Sequence, residues 1–118
     1  MKTLGSTLLW KNTGTSLAPG TIQIQNLKSY RWIRIAFVPT PSSVTRMTNV
    51  FSTDNGTSSI NFAGVENLNS AWQDTHIMKR EFSINGNEIT FQTGRFLWNG
   101  EVFEMNDRCI PMEIYGEY

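Results

Sequence analysis

A single cysteine, Cys109, leaves this 118-residue chain without an internal disulfide. With His76 as its one imidazole, it also lacks the ligands for a thiolate and imidazole metal site. Stability must therefore come from packing and association, and no metal or other cofactor is expected. The ten acidic and ten basic residues cancel and neither sign forms a run, so the electrostatic footprint of a nucleic-acid partner or an anionic membrane is missing. No apolar stretch approaches the roughly 20 residues that a membrane helix needs, and Met1-Lys2-Thr3-Leu4-Gly5 lacks the apolar segment of a secretory signal. The expectation is a soluble protein made without Sec export and not inserted in a membrane.

The scarcity of histidine also bears on catalysis. Asp74 and His76 are two apart and share a face on a strand, but no Gly-x-Ser-x-Gly elbow accompanies them. Nothing resembles a glycine-rich phosphate loop or an EF-hand. A carboxylate pair for glycan cleavage would have to come from dispersed acids that sequence cannot bring together. The chain is therefore not expected to be an enzyme, and a small glycan-processing enzyme is kept only as the remote alternative.

What the chain does have is turn chemistry. Asn55-Gly56, Asn85-Gly86 and Asn99-Gly100 lie between stretches of alternating polarity, and Asn-Gly accepts the positive φ values of a two-residue hairpin turn. At Asn85-Gly86 the implied pairs are Phe82 with Ile89 and Arg80 with Phe91 on one face, Glu81 with Thr90 on the other. At Asn99-Gly100 they are Trp98 with Glu101, Leu97 with Val102, Phe96 with Phe103, and Arg95 with Glu104. At Asn55-Gly56 only Phe51 with Ile60 is an apolar pair. Its Asn-Gly-Thr also fits a glycosylation acceptor, but without a signal sequence it reads as a turn.

Other strands follow from periodicity. Thr7 to Lys11 is a short apolar run, and Thr21 to Gln25 alternates with Ile22 and Ile24 on one face. From Tyr30 to Val38 both alternating sets are largely apolar, which predicts a central strand covered on both sides. Val65, Leu68, Ala71 and Trp72 have helical spacing, so residues 65–72 are expected to be irregular or a single helical turn. Near the end Ile110, Met112 and Ile114 share a face, and Pro111 places that strand at a bulge or an edge. The expected fold is all-β: one domain, residues 1–118, an antiparallel jelly-roll-like β-sandwich of about eight strands.

Trp10, Trp32, Phe37, Phe82 and Phe91 fall on faces read as interior. Trp98 is different, because it flanks a turn where burial within its own domain is hard. With Phe96, Phe103, Trp72 and Asn99 it forms the candidate ligand or subunit surface. A subunit contact is preferred there over a platform for a sugar ring.

Several segments carry a resemblance. Cys109-Ile110-Pro111-Met112-Glu113-Ile114-Tyr115-Gly116 resembles the C-I-P-x-x-I-Y-G ending of small β-sandwich domains in tailed-phage tail-fibre, baseplate and receptor-binding proteins. Leu9-Trp10-Lys11-Asn12, the Thr21 to Tyr30 stretch and Arg80-Glu81-Phe82 resemble further motifs of those domains. The likeness spans residues 7 to 116 with gaps, and none of its motifs is catalytic. It implies a virion structural protein made in the host cytoplasm, a homotrimer touching other virion proteins, and adhesion to host cell-surface carbohydrate. A capsid decoration or head-fibre protein, with protein contacts only, is the alternative.

Overall fold

The computed structural model describes residues 6–43, 46–69, 72–98 and 100–118, with side chains described outside 63–69, 72–76 and 98. Among the described residues nine strands follow in order: β1 (Thr7–Lys11), β2 (Gly20–Gln23), β3 (Trp32–Val38), β4 (Met47–Ser52), β5 (Gly56–Asn69), β6 (Trp72–Asn85), β7 (Glu88–Trp98), β8 (Glu101–Glu104) and β9 (Ile110–Glu117). One 3-10 turn, Leu27–Ser29, buries Leu27 at the end of the sandwich.

The fold is the expected all-β sandwich. Sheet A has the order β1-β9-β3-β4 and sheet B the order β2-β7-β6-β5, with β8 on the far half of β7. The successive strands β1 and β2 enter different sheets, and each lies beside a late strand, β9 and β7 respectively, which ties both ends of the chain into the core. Between the sheets pack Ile33, Ile35, Phe37 and Ile114 from sheet A and Ile60, Phe82, Ile84, Ile89 and Phe91 from sheet B. Full burial of each such side chain stabilises the fold by about 1.5–3 kcal/mol.

The three Asn-Gly dipeptides have three different outcomes. Next to Asn99-Gly100, β7 and β8 pair in the expected register, with Phe96 opposite Phe103 and Leu97 opposite Val102, while Asn99 itself lies outside the described residues. Around Asn85-Gly86 a hairpin forms, but its two-residue loop is Gly86-Asn87: Asn85 pairs with Glu88, Ile84 with Ile89 and Phe82 with Phe91. Positive φ is confined to Gly86, at 61°, in the first central position, as a type II′ turn requires. The slip is two residues, so every side chain keeps its face.

Asn55-Gly56 makes no hairpin, because β4 belongs to sheet A and β5 to sheet B, and the dipeptide lies on the crossing between them. Its position there is set by tertiary bonds: Asn55 Oδ1 accepts from Lys28 Nζ at 2.8 Å and from the Gly86 amide at 3.0 Å.

Two further expectations are corrected. Residues 65–69 and Trp72 continue the strands, since Val65 pairs with Thr75 and Asn69 with Trp72 along the paired β5 and β6, while residues 70 and 71 lie outside the described residues. β3 is central, between β9 and β4, but it is covered on both sides only in its second half. Ala36 and Val38 are buried, whereas Trp32, expected inside, is 40% exposed on the outer face. Pro111 does adjoin a bulge: opposite Ala36 and Phe37 stand Glu113 and Pro111, leaving Met112 as the extra residue.

Candidate functional site

At about 3.3 Å per residue, the 14-residue strands β5 and β6 outrun sheet A, whose longest strand, β9, has 8 residues. Sheet B therefore overhangs as a four-stranded arm of β5, β6, β7 and β8. Its cross-strand rows are Asn61-Lys79-Arg95-Glu104, then Phe62-Met78-Phe96-Phe103, then Ala63-Ile77-Leu97-Val102. Neighbouring rows face opposite sides. The Phe62-Met78-Phe96-Phe103 row turns to the core side, where Met78 is buried and Phe62 and Phe96 pack against the cluster. The next row turns outward and leaves Ile77 and Val102 exposed, Val102 at 58%. Beside this apolar stripe the charged row is balanced, with Glu81 at 3.4 Å from Lys79 and 4.0 Å from Arg95.

Of the expected surface residues, the structure brings Phe96 and Phe103 together, ring centroids 6.3 Å apart. Phe103 is exposed at the rim of the arm. Trp98 pairs through its backbone with Glu101 and His76, and its side chain lies outside the described residues. Trp72 pairs with Asn69, four residues along β6 beyond the His76 rung, so the register does not put it beside Trp98. Its side chain, and Asn99 altogether, lie outside the described residues.

The arm is held at its root by Arg80. It is 0% exposed, yet among the described residues no carboxylate pairs with it. All five of its N–H donors go to backbone carbonyls: Nε to Cys109, Nη1 to Leu17 and Gln92, Nη2 to Asn106 and Arg108, at 2.8–3.0 Å. Burial lowers its pKa to about 10, which leaves it cationic at neutral pH.

The cage requires two local features. A bulge in β7 sets Gly94, not Phe91, opposite Arg80. Gly94 is also the residue that lets the 105–108 loop approach: an added Cβ would stand 2.3 Å from the Arg108 carbonyl oxygen and 2.4 Å from that of Met105. Next to the cage Cys109 has φ 50°, and burial pushes its thiol pKa up to about 12. It is a protonated, enclosed thiol and not a nucleophile.

Among the described side chains, the seven exposed large hydrophobics lie on the arm, on the outer face of sheet A and at the C-terminal Tyr118. Ile77 and Val102 form the outward patch of the arm, Phe103 lies at the rim of its other face, and Leu8, Trp32 and Val50 share the outer face of sheet A, with Tyr118 apart. Sequence reasoning missed the sheet A patch. The signal for it was Arg34, a charged residue alternating with Trp32 on that face of β3. The hollow between Trp10, Leu17, Ile22 and Phe91 holds about 130 Å³, below the roughly 300 Å³ of an ordinary ligand pocket. Among the described residues no group of three or more His, Cys, Asp or Glu is arranged to hold a metal ion, and no helix is long and apolar enough to cross a membrane.

Comparison with protein families, with curated proteins and with solved structures finds no match to this chain. Function must therefore be argued from the two patches.

Proposed function

We propose that the chain is a phage virion structural module of the tail-fibre or baseplate type, which self-associates through its arm and serves adhesion to the host surface. The observation that carries this is the outward apolar stripe of the arm, Ile77 and Val102 with Leu97 between them on adjacent strands. A stripe of this kind costs about 25 cal/mol per Å² while it stays in water, and such surfaces mark interfaces.

A second copy of the chain is the occupant that fits. The row beside the stripe carries Lys79, Arg95 and Glu104, and Glu81 of the next rung on the same face meets Lys79 and Arg95, so the charges are of mixed sign and self-complementary. With a net charge of zero, copies do not repel one another. Among the described residues, the outer edges of β5 and β8 have no strand partner, which adds backbone groups for an edge contact. The sequence resemblance supplies the trimer as the order of association and the virion as the setting. The reading involves no catalysis and no cofactor.

The test is electron microscopy of phage particles carrying this protein, labelled with an antibody against it. Label at the tail tip supports the proposal. Label on the head favours the decoration reading, with its protein contacts only, and particles without label refute both.

A further inference from the structure

We propose that the outer face of sheet A is a binding platform for a neutral polysaccharide chain, with the Trp32 ring as its stacking surface and the Arg34–Glu117 pair as its hydrogen-bonding centre. This deepens the adhesion reading above and rests on it for its biological setting, but the site is argued from its own geometry.

Two cross-strand rows build the face. Leu8, Tyr115, Arg34 and Val50 stand side by side on β1, β9, β3 and β4, and Glu117, Trp32 and Ser52 form the next row. Trp32 and Tyr115 are thus diagonal neighbours on adjacent strands, about 7–8 Å apart. The Arg34 guanidinium lies 4.3 Å from the Tyr115 ring centroid, and that of Arg31 lies 5.8 Å from the Trp32 ring. Arg34 Nε donates to Glu117 Oε1 at 2.8 Å, while Ser6 Oγ donates to the same oxygen at 2.9 Å. Arg34 Nη1 and Glu117 Oε2 take no part in these bonds.

That combination has a chemical counterpart. A pyranose ring has an apolar C–H face and a rim of hydroxyls, so it lies on an indole while its rim meets donors and acceptors held in a plane. Arg34, stacked on Tyr115 and clamped by Glu117, is such a fixed planar donor, and its preorganisation lowers the ordering cost on binding. A second copy of the chain is a poorer fit, because the apolar residues here are interrupted by ion pairs and do not form the continuous stripe seen on the arm. An anionic polymer is also a poorer fit. Arg34 is matched by Glu117 and Arg46 by Glu113, leaving Lys11 and Arg31 apart at opposite ends of the face. A flat sheet enclosing nothing suits a chain of sugars better than a free monosaccharide.

The test is affinity electrophoresis of the full chain in native gels cast with soluble galactomannan, mixed-linkage glucan, arabinoxylan or dextran, with dextran sulfate as the anionic comparison. Retardation by at least one neutral polymer is expected, weakened tenfold or more in Trp32→Ala and in Arg34→Met, and retained in Trp32→Phe. Circular dichroism establishes that each variant is folded, and the two substitutions on different strands guard against loss of one variant. No retardation by any neutral polymer, retardation by dextran sulfate alone, or retardation unchanged in both variants overturns the proposal. Light scattering on the same samples keeps the two surfaces separate: Trp32→Ala leaves the mass unchanged, so failure of self-association and failure of glycan binding are read independently.

Discussion

Replacing Arg80 by Met tests whether the carbonyl cage organises the domain. Met keeps most of the side-chain length but none of the five donors, so five backbone carbonyls lose a donor at once, although that of Asn106 keeps a second one, the Leu17 amide. The acceptors come from three separate stretches: Leu17 after β1, Gln92 in the β7 bulge, and Asn106, Arg108 and Cys109 before β9. The Cys109 carbonyl is fully enclosed and bears the whole penalty of an unmade bond, about 1–3 kcal/mol. The other four are part-buried and recover some hydration, so they lose about 0.5–1 kcal/mol each. The total is about 3–7 kcal/mol, a large part of the 5–15 kcal/mol that holds a typical domain. Urea unfolding at 25 °C, followed by tryptophan fluorescence and circular dichroism, measures it, and the transition temperature should fall by about 10–40 °C. Arg80→Lys, with three donors on one nitrogen, should fall between the two. A loss below about 1 kcal/mol for Arg80→Met would show that the cage is incidental.

Gly94→Ala should cost at least about 3 kcal/mol by urea titration, because its Cβ would meet backbone oxygens that cannot swing aside. Cys109 should resist a thiol reagent at pH 8 in the folded protein. Because its folded pKa, about 12, lies above the unfolded value, the native state holds the proton longer, and stability should fall as pH rises from about 9 to 12, by up to about 1.4 kcal/mol per unit. Cys109→Ala should flatten that slope. Asn55→Ala, which removes the acceptor shared by Lys28 and the Gly86 amide, should cost about 1 kcal/mol in the same titration.

What could be read from the sequence was decided locally. The β7–β8 register was legible because Leu97 with Val102 and Phe96 with Phe103 make apolar pairs on either side of one turn, with no competing contact. The Asn85-Gly86 hairpin was legible in its faces and misplaced in its loop, since Gly in the first central position satisfies a different turn from Asn-Gly in both, and a two-residue slip leaves polarity unchanged. At Asn55-Gly56 the same dipeptide joins two sheets, held by Lys28 and Gly86 from elsewhere in the chain, and no local signal distinguishes the cases. Residues 65–69 and Trp72 are in strands although the apolar spacing here is helical, since pairing between β5 and β6 overrides it. The Arg80 cage was invisible for the same reason: its acceptors are distant in sequence. Trp32 was read as core because both alternating sets of β3 are apolar, although sheet B packs against only one of them.

The central claim is that the arm joins copies of this chain. Light scattering coupled to size exclusion, on the wild-type protein at micromolar concentration and on the Ile77→Ser, Val102→Ser double variant, tests it directly. The account predicts three times the 13.4 kDa chain mass for the wild type and a folded monomer for the variant. A monomeric wild-type protein, or a variant that assembles as well as the wild type, would contradict it.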